Sequence, residues 1–151
     1  MPNGSEVGSE KFSYKLNWLE SLIEMIEEEE KIHKKICILG DFNIAPDDID
    51  VHDPEKWRGK ILCSSEERLL FKKLLKKGFF DTYRFLHQTL KSFSWWDYRQ
   101  ASFRRNIGLR IDHILLSNSL KTSLIESGIS TYPRKLEKPS DHAPCWITIK
   151  L

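Results

Sequence analysis

The apolar residues of this 151-residue chain follow two different spacings, helical near the start and strand-like near the end, and that limits the folds open to it. Near the start they recur every three or four positions, at Phe12, Leu16, Leu19, Ile23 and Ile26. This spacing lays one apolar stripe along an α-helix. Near the end they recur every second position, at Ala143, Cys145, Ile147 and Ile149. Period two places all four on one face of a strand. Helices early and strands late, without strict alternation, predict an α+β domain rather than an alternating βα barrel.

Local signals fill in the elements between. Ser9 precedes the helical stripe as an N-cap, and the acidic run Glu27 to Glu30 near the helix end reads as a solvated face. Ile36-Cys37-Ile38-Leu39 is short, rich in β-branched residues and closed by Gly40, so a buried strand is expected there. Residues 45 to 60 are polar and hold Pro46, Pro54 and Gly59, which predicts a loop. Ser64 and Glu67 have capping-box spacing at the head of a second helix with Leu70, Leu74 and Leu75 inside and Gly78 at its end. Phe93 to Arg99, Ile111 to Leu116 and Ile125 to Thr131 are expected as further strands.

Composition excludes several classes. Hydrophobic residues are 40% of the chain, too many for a disordered polymer, and no apolar run approaches the ~20 residues needed to span a bilayer. The net charge of +2 neither demands nor forbids a nucleic acid. Cys37, Cys63 and Cys145 form no short-spaced pair, which argues against a disulfide framework and for a reducing compartment. No signal or transit segment is visible at Met1-Pro2-Asn3-Gly4-Ser5-Glu6, so a cytoplasmic location is expected.

Four short segments carry possible chemistry. Asp41 and Asn43, two apart after the first strand, project a carboxylate and a carboxamide from one side of extended chain. Oxygen donors of this kind suit a hard cation such as Mg²⁺, although Gly40-Asp41-Phe42-Asn43 is equally good turn chemistry. Asp141-His142 offers an imidazole for acid–base work or phosphate contact, or else a cap. Asp112 sits in an apolar strand, where an ionised carboxylate needs a partner, either a His or a cation such as Arg110. His33, His52, His87 and His113 read as surface or core residues, and Asp47, Asp48, Asp50 and Asp53 as a solvated loop. Trp95, Trp96 and Tyr98 beside Arg99, Arg104, Arg105 and Arg110 suit stacking on sugars or bases with contacts to phosphates, or a sheet core flanked by Arg.

Five segments in order resemble the exonuclease III family of AP endonucleases. They are Pro2-Asn3-Gly4, Gly40-Asp41-Phe42-Asn43-Ile44-Ala45-Pro46, Phe93-Ser94-Trp95-Trp96-Asp97-Tyr98-Arg99, Gly108-Leu109-Arg110-Ile111-Asp112, and Lys138-Pro139-Ser140-Asp141-His142-Ala143-Pro144. The resemblance implies a DNase I-like four-layer αββα sandwich, two packed sheets covered by helices. This chain would supply half of it, one mainly antiparallel sheet with flanking helices. It further implies Mg²⁺-dependent (or Mn²⁺-dependent) hydrolysis of double-stranded DNA at abasic sites and 3′ ends.

By the same resemblance Asp41, Asn43, Asp112 and His142 are catalytic. Asp41, Asn43, Asp141 and His142 form the metal environment. Asn3 and Arg99 meet the DNA, and Trp95, Leu109 and Ile111 wall a pocket for a flipped-out abasic sugar. The family's Tyr-x-Pro-Asn-Gly motif meets Met1 at its variable position. Residues 1–151 are therefore expected to be the C-terminal portion of an endonuclease/exonuclease/phosphatase domain, lacking the half that holds a metal-binding Glu. Weak activity alone and a complementing N-terminal half as partner are expected. A superfamily phosphodiesterase with another substrate and a non-catalytic fragment are the alternatives.

Overall fold

In the computed structural model, which describes residues 1–150, the apolar stripe forms the first helix. Helix α1 runs Glu10–Ile32, and the Ser9 hydroxyl accepts the Phe12 N–H at its start. Phe12, Leu19, Ile23 and Ile26 are buried along one side of it. Strand β1, Cys37–Asp41, follows. The expected loop at 45 to 60 is partly helical, with a 3₁₀ turn at Asp48–Asp50 and a one-turn helix α2, Pro54–Trp57. Local capping explains the departure from a plain loop: the Asp53 carboxylate accepts the Lys56 N–H and Pro54 starts the turn without losing a bond.

Helix α3, Ser65–Lys76, opens on the capping box. Ser64 Oγ accepts the Glu67 N–H, and the Glu67 carboxylate accepts the Ser64 N–H and hydroxyl. It stops at Gly78, whose φ of 101° lies in the left-handed region that costs glycine little. Then come β2 (Phe79–Asp81), α4 (Thr82–Leu86), β3 (Asp112–Ser117), β4 (Leu124–Ile129) and β5 (Cys145–Ile149).

All strand pairing is antiparallel, and the strands divide between two sheets: β1-β3-β2, and the pair β4-β5. Phe93 to Arg99 is not a strand. Trp95 makes only single bridges, to Leu109 and His142, and the reason lies in the side chains. Trp96 is drawn into a separate aromatic cluster with Phe93, Phe103 and Ala143, which bends the backbone away from regular pairing.

Directly opposed residues of an antiparallel pair share a face. Ile38 and Leu115 are opposed, and both join the core of Leu19, Ile23, Phe42, Phe71 and Leu74 beneath α1 and α3. Leu39 and Ile114 are the next opposed pair and lie on the other face, where Leu39 is 69% exposed. The expectation of a buried first strand is therefore corrected: only one face of β1 is covered. Asp50 also departs from the solvated-loop expectation. It is buried, with the guanidiniums of Arg84 at 2.6 Å and Arg110 at 2.7 Å as its counter-charges. Arg110 also binds Asp81 at 2.7 Å. All three cysteines are free thiols, and among the described residues no helix is long and apolar enough to cross a membrane.

Candidate active site

The register of β1 against β3 sets Asp41 directly opposite Asp112, so both carboxylates emerge from the open face of the sheet. His142 arrives from a different part of the chain, just before β5. Its Nδ1 lies 2.9 and 3.1 Å from the two Asp112 oxygens. A carboxylate only accepts, so Nδ1 carries the proton and donates, which leaves Nε2 free of a protein partner among the described residues. Asp112 is thereby paired with His142, while Arg110 is committed to Asp50 and Asp81. Asp41, Asp112 and His142 line one cavity of about 340 Å³, together with Gly40, Ile114, Ser140 and Cys145.

The strand end supplies the rest. Asn43 has a φ of 49°, a left-handed turn that brings its side chain back over Asp41. Its N–H and Nδ2 donate to the two Asp41 oxygens at 2.7 and 2.9 Å. Asn3 is exposed beside this turn and donates to Asn43 Oδ1 at 3.2 Å. Beneath the turn lies Lys15, fully buried. Its ammonium donates to the Asn43 carbonyl at 2.6 Å and to Glu67.

Two titrations follow from these contacts. Burial pushes the Asp41 carboxyl above its ordinary value, with help from the Asp112 charge and against the Asn43 N–H bond. The hydrogen bond to Asp112 raises the His142 pKa above the ordinary 6.5, against partial burial. The imidazole of His142 is thus held against the Asp112 carboxylate in a setting that favours its protonated form.

Asp141 sits beside this cluster, its Oδ2 accepting the Trp95 indole N–H at 2.9 Å. No group of three or more His, Cys, Asp or Glu side chains is arranged to hold a metal among the described residues. Trp95 also borders a second cavity of about 260 Å³, shared with His52, Trp57, Arg99 and Leu109. Leu109 and Ile111 are themselves buried in a cluster with Ala45, Val51, Leu62 and Cys63, so they support this region from beneath. Arg99 points out to solvent and forks onto Asp97 at 2.7 to 3.1 Å.

Ser94 escapes any reading of the sequence. Buried among aromatics, its Oγ accepts the N–H groups of Ile111 and Asp112 at 3.0 Å each, and its carbonyl accepts the Ala143 N–H at 2.7 Å. One small residue thus ties the segment before Asp112 to the segment after His142. A lone Ser between Phe93 and Trp95 gives no local sign of this, because the contacts span 17 to 49 positions.

Known proteins resemble this chain over nearly its whole length. The profile of the Endonuclease/Exonuclease/phosphatase family matches residues 10–142. Exodeoxyribonuclease III of Haemophilus influenzae is 39% identical over 99% of this chain and 59% of its own length. A 3′ phosphatase of Neisseria, solved with a product DNA hairpin, superposes with a TM-score of 0.97 at 45% identity, over 99% of this chain and 58% of that one. An AP endonuclease of Archaeoglobus fulgidus gives a TM-score of 0.92 at 34% identity, over 99% and 59%. The chain thus spans about three-fifths of the length of these relatives.

Proposed function

Because the chain belongs to the Endonuclease/Exonuclease/phosphatase family, we propose that it is a DNA repair nuclease of the exodeoxyribonuclease III type, hydrolysing phosphodiesters of double-stranded DNA at abasic sites and 3′ ends. The observation that carries this is the convergence of Asp41, Asp112 and His142 on one open cavity. Relatives named as an exodeoxyribonuclease III, a DNA-bound 3′ phosphatase and an AP endonuclease support the substrate class.

Phosphodiester hydrolysis needs a base for water, stabilisation of charge on the phosphate oxygens, and a proton for the leaving oxygen. His142, paired with Asp112 through Nδ1 and with its pKa raised by that bond, turns Nε2 to the scissile phosphate and donates to it when protonated. Asp41, its pKa raised by burial, takes the proton from the attacking water. Asn43 fixes the Asp41 carboxylate through two hydrogen bonds, and Asn3, whose amide keeps one N–H beyond its bond to Asn43, offers that donor to the phosphate. Trp95, over the buried Leu109 and Ile111, receives the sugar, and Arg99 at the rim meets the backbone.

Nucleases of this family generally depend on a divalent metal. The donors present fit Mg²⁺, which binds through one or two carboxylates completed by water and substrate phosphate. Asp41 and Asp141 are the carboxylates that would hold it, with Asn43 and His142 adjoining. The ion would neutralise charge developing on the phosphate. The open face of β1 and β3, with Leu39 exposed, supports a complementing N-terminal half as a partner that covers the sheet and adds a metal-holding carboxylate. Residues 1–151 would then be the C-terminal portion of the domain, working in the cytoplasm.

An incision assay on duplex DNA with one abasic site or a 3′ phosphate, in Mg²⁺, tests the proposal. Weak cleavage by the chain alone is expected, rising when an N-terminal half from a relative is added. Asp41→Ala is expected to reduce the rate by about 10²–10⁴-fold. Cleavage indifferent to Asp41→Ala, or a preference for a lipid phosphodiester over DNA, would overturn it.

A further inference from the structure

The segment Pro139–Ala143 carries Asp141 and His142, yet it belongs to no strand or helix until β5 begins at Cys145. It is held instead through successive backbone groups. Tyr98 Oη donates to the Pro139 carbonyl at 2.9 Å, and Arg134 Nη1 donates to the Ser140 carbonyl. The Trp96 N–H donates to the Asp141 carbonyl at 3.0 Å, and the Ala143 N–H donates to the Ser94 carbonyl at 2.7 Å. The Ser140 hydroxyl accepts the His142 N–H at 3.1 Å. The Trp96 and Ala143 rungs join backbone groups that any residue there supplies. The Tyr98 and Arg134 rungs depend on particular side chains.

Arg134 is the unusual member. It is only 6% exposed, and its Nε is buried without a hydrogen-bond partner. Its guanidinium lies 5.0 Å from the ring centroid of Phe103, 5.6 Å from Tyr98 and 6.0 Å from Trp96. Three ring faces and one carbonyl meet its charge. A planar guanidinium can stack on rings and still direct an N–H along its edge, which an ammonium cannot do. The orphaned Nε marks a group kept for reach and orientation rather than for full pairing.

We propose that Arg134 is a positioning residue for His142, and that the Trp96–Tyr98–Phe103 cage exists to aim its guanidinium at Ser140. The aromatic run that suggests stacking on DNA in the sequence thus works in part as an internal clamp. Arg134 sets Ser140, Ser140 sets the His142 backbone, and the backbone sets the reach of the imidazole to Asp112. The consequence for cleavage rests on the nuclease proposal; the clamp itself does not, so its test uses no turnover.

The test is nuclear magnetic resonance on the full ¹⁵N-labelled chain. The readouts are the His142 Nδ1 proton shared with Asp112, identified by its loss in Asp112→Asn, and hydrogen exchange of the His142 and Ala143 amides. Arg134→Met keeps the stem and its apolar contacts. It is expected to erase the Nδ1 proton signal and to speed exchange at both amides by about tenfold, with β1–β3 amides unchanged. Arg134→Lys is expected to fall between. A retained Nδ1 signal with exchange within about twofold of the parent would overturn the proposal. Should Arg134→Met fail to fold, Tyr98→Phe decides. It removes one hydroxyl and is expected to speed exchange by about threefold, whereas unchanged rates would again overturn the proposal.

Discussion

The two faces of the three-stranded sheet come from the same strands, one residue out of step. Toward α1 and α3, β1 and β3 present Ile38 and Leu115 to a continuous apolar core. The charges buried on that side are matched, as Lys15 and Glu67 show. Toward the other side the strands present Leu39, Ile114, Asp41 and Asp112 around an open cavity. The difference teaches where stability and chemistry reside. The covered face holds the strands in place, and the open face uses that rigidity to keep two carboxylates and an imidazole near one another. Because side chains alternate along a strand, a register slip of one residue would exchange the two sets.

The contrast breaks most directly on the covered face. Phe71 is fully buried, edge-on to Phe42 at 5.6 Å and 4.8 Å from the His113 ring. Phe71→Ala is expected to cost about 3–5 kcal/mol in urea denaturation, and a loss near zero would show that the helices do not carry the fold. Lys15→Met leaves the Glu67 carboxylate without its counter-charge in the same core. A loss of about 3 kcal/mol is expected, largely recovered in the double variant with Glu67→Gln, which removes the charge and keeps an acceptor for the capping box. A double variant no more stable than the single one would contradict the pairing.

Smaller effects are expected on the open face. Asp112→Asn removes the partner that raises the His142 pKa. A group whose pKa rises on folding stabilises the fold below its unfolded value and loses that contribution as pH rises through the folded one. The gap in stability between the parent and Asp112→Asn should therefore be widest near pH 6 and shrink toward pH 9. Its full size should be about 1 kcal/mol or less for this partly exposed pair. A gap that grows with pH would reverse the assignment. Leu39→Ser should change stability by no more than about 0.5 kcal/mol, while light scattering should report less self-association.

The legible parts of the molecule were those with local causes. The stripe of α1, its Ser9 cap and the Ser64–Glu67 box are settled within four residues of chain, and the structure repeats them. Period two at the C-terminus likewise became β5. Asp41 and Asn43 were visible as a pair because they are two apart in the sequence. The partnership of Asp112 with His142 spans 30 positions, and the sequence shows only that Asp112 needs a His or a cation beside it. What stayed hidden depended on distant partners. Asp50 looked solvated until Arg84 and Arg110 closed over it. Trp95 and Trp96 looked like one strand until separate clusters claimed them.

The central claim is that Asp41, Asp112 and His142 serve a single phosphate. A crystal structure of the chain with Mn²⁺ and a short duplex ending in a 3′ phosphate examines it directly. The expected result places a phosphate oxygen within hydrogen-bonding reach of His142 Nε2, on the same side of the sheet as Asp41. A terminal phosphate bound elsewhere, with that cavity empty of DNA, would contradict it.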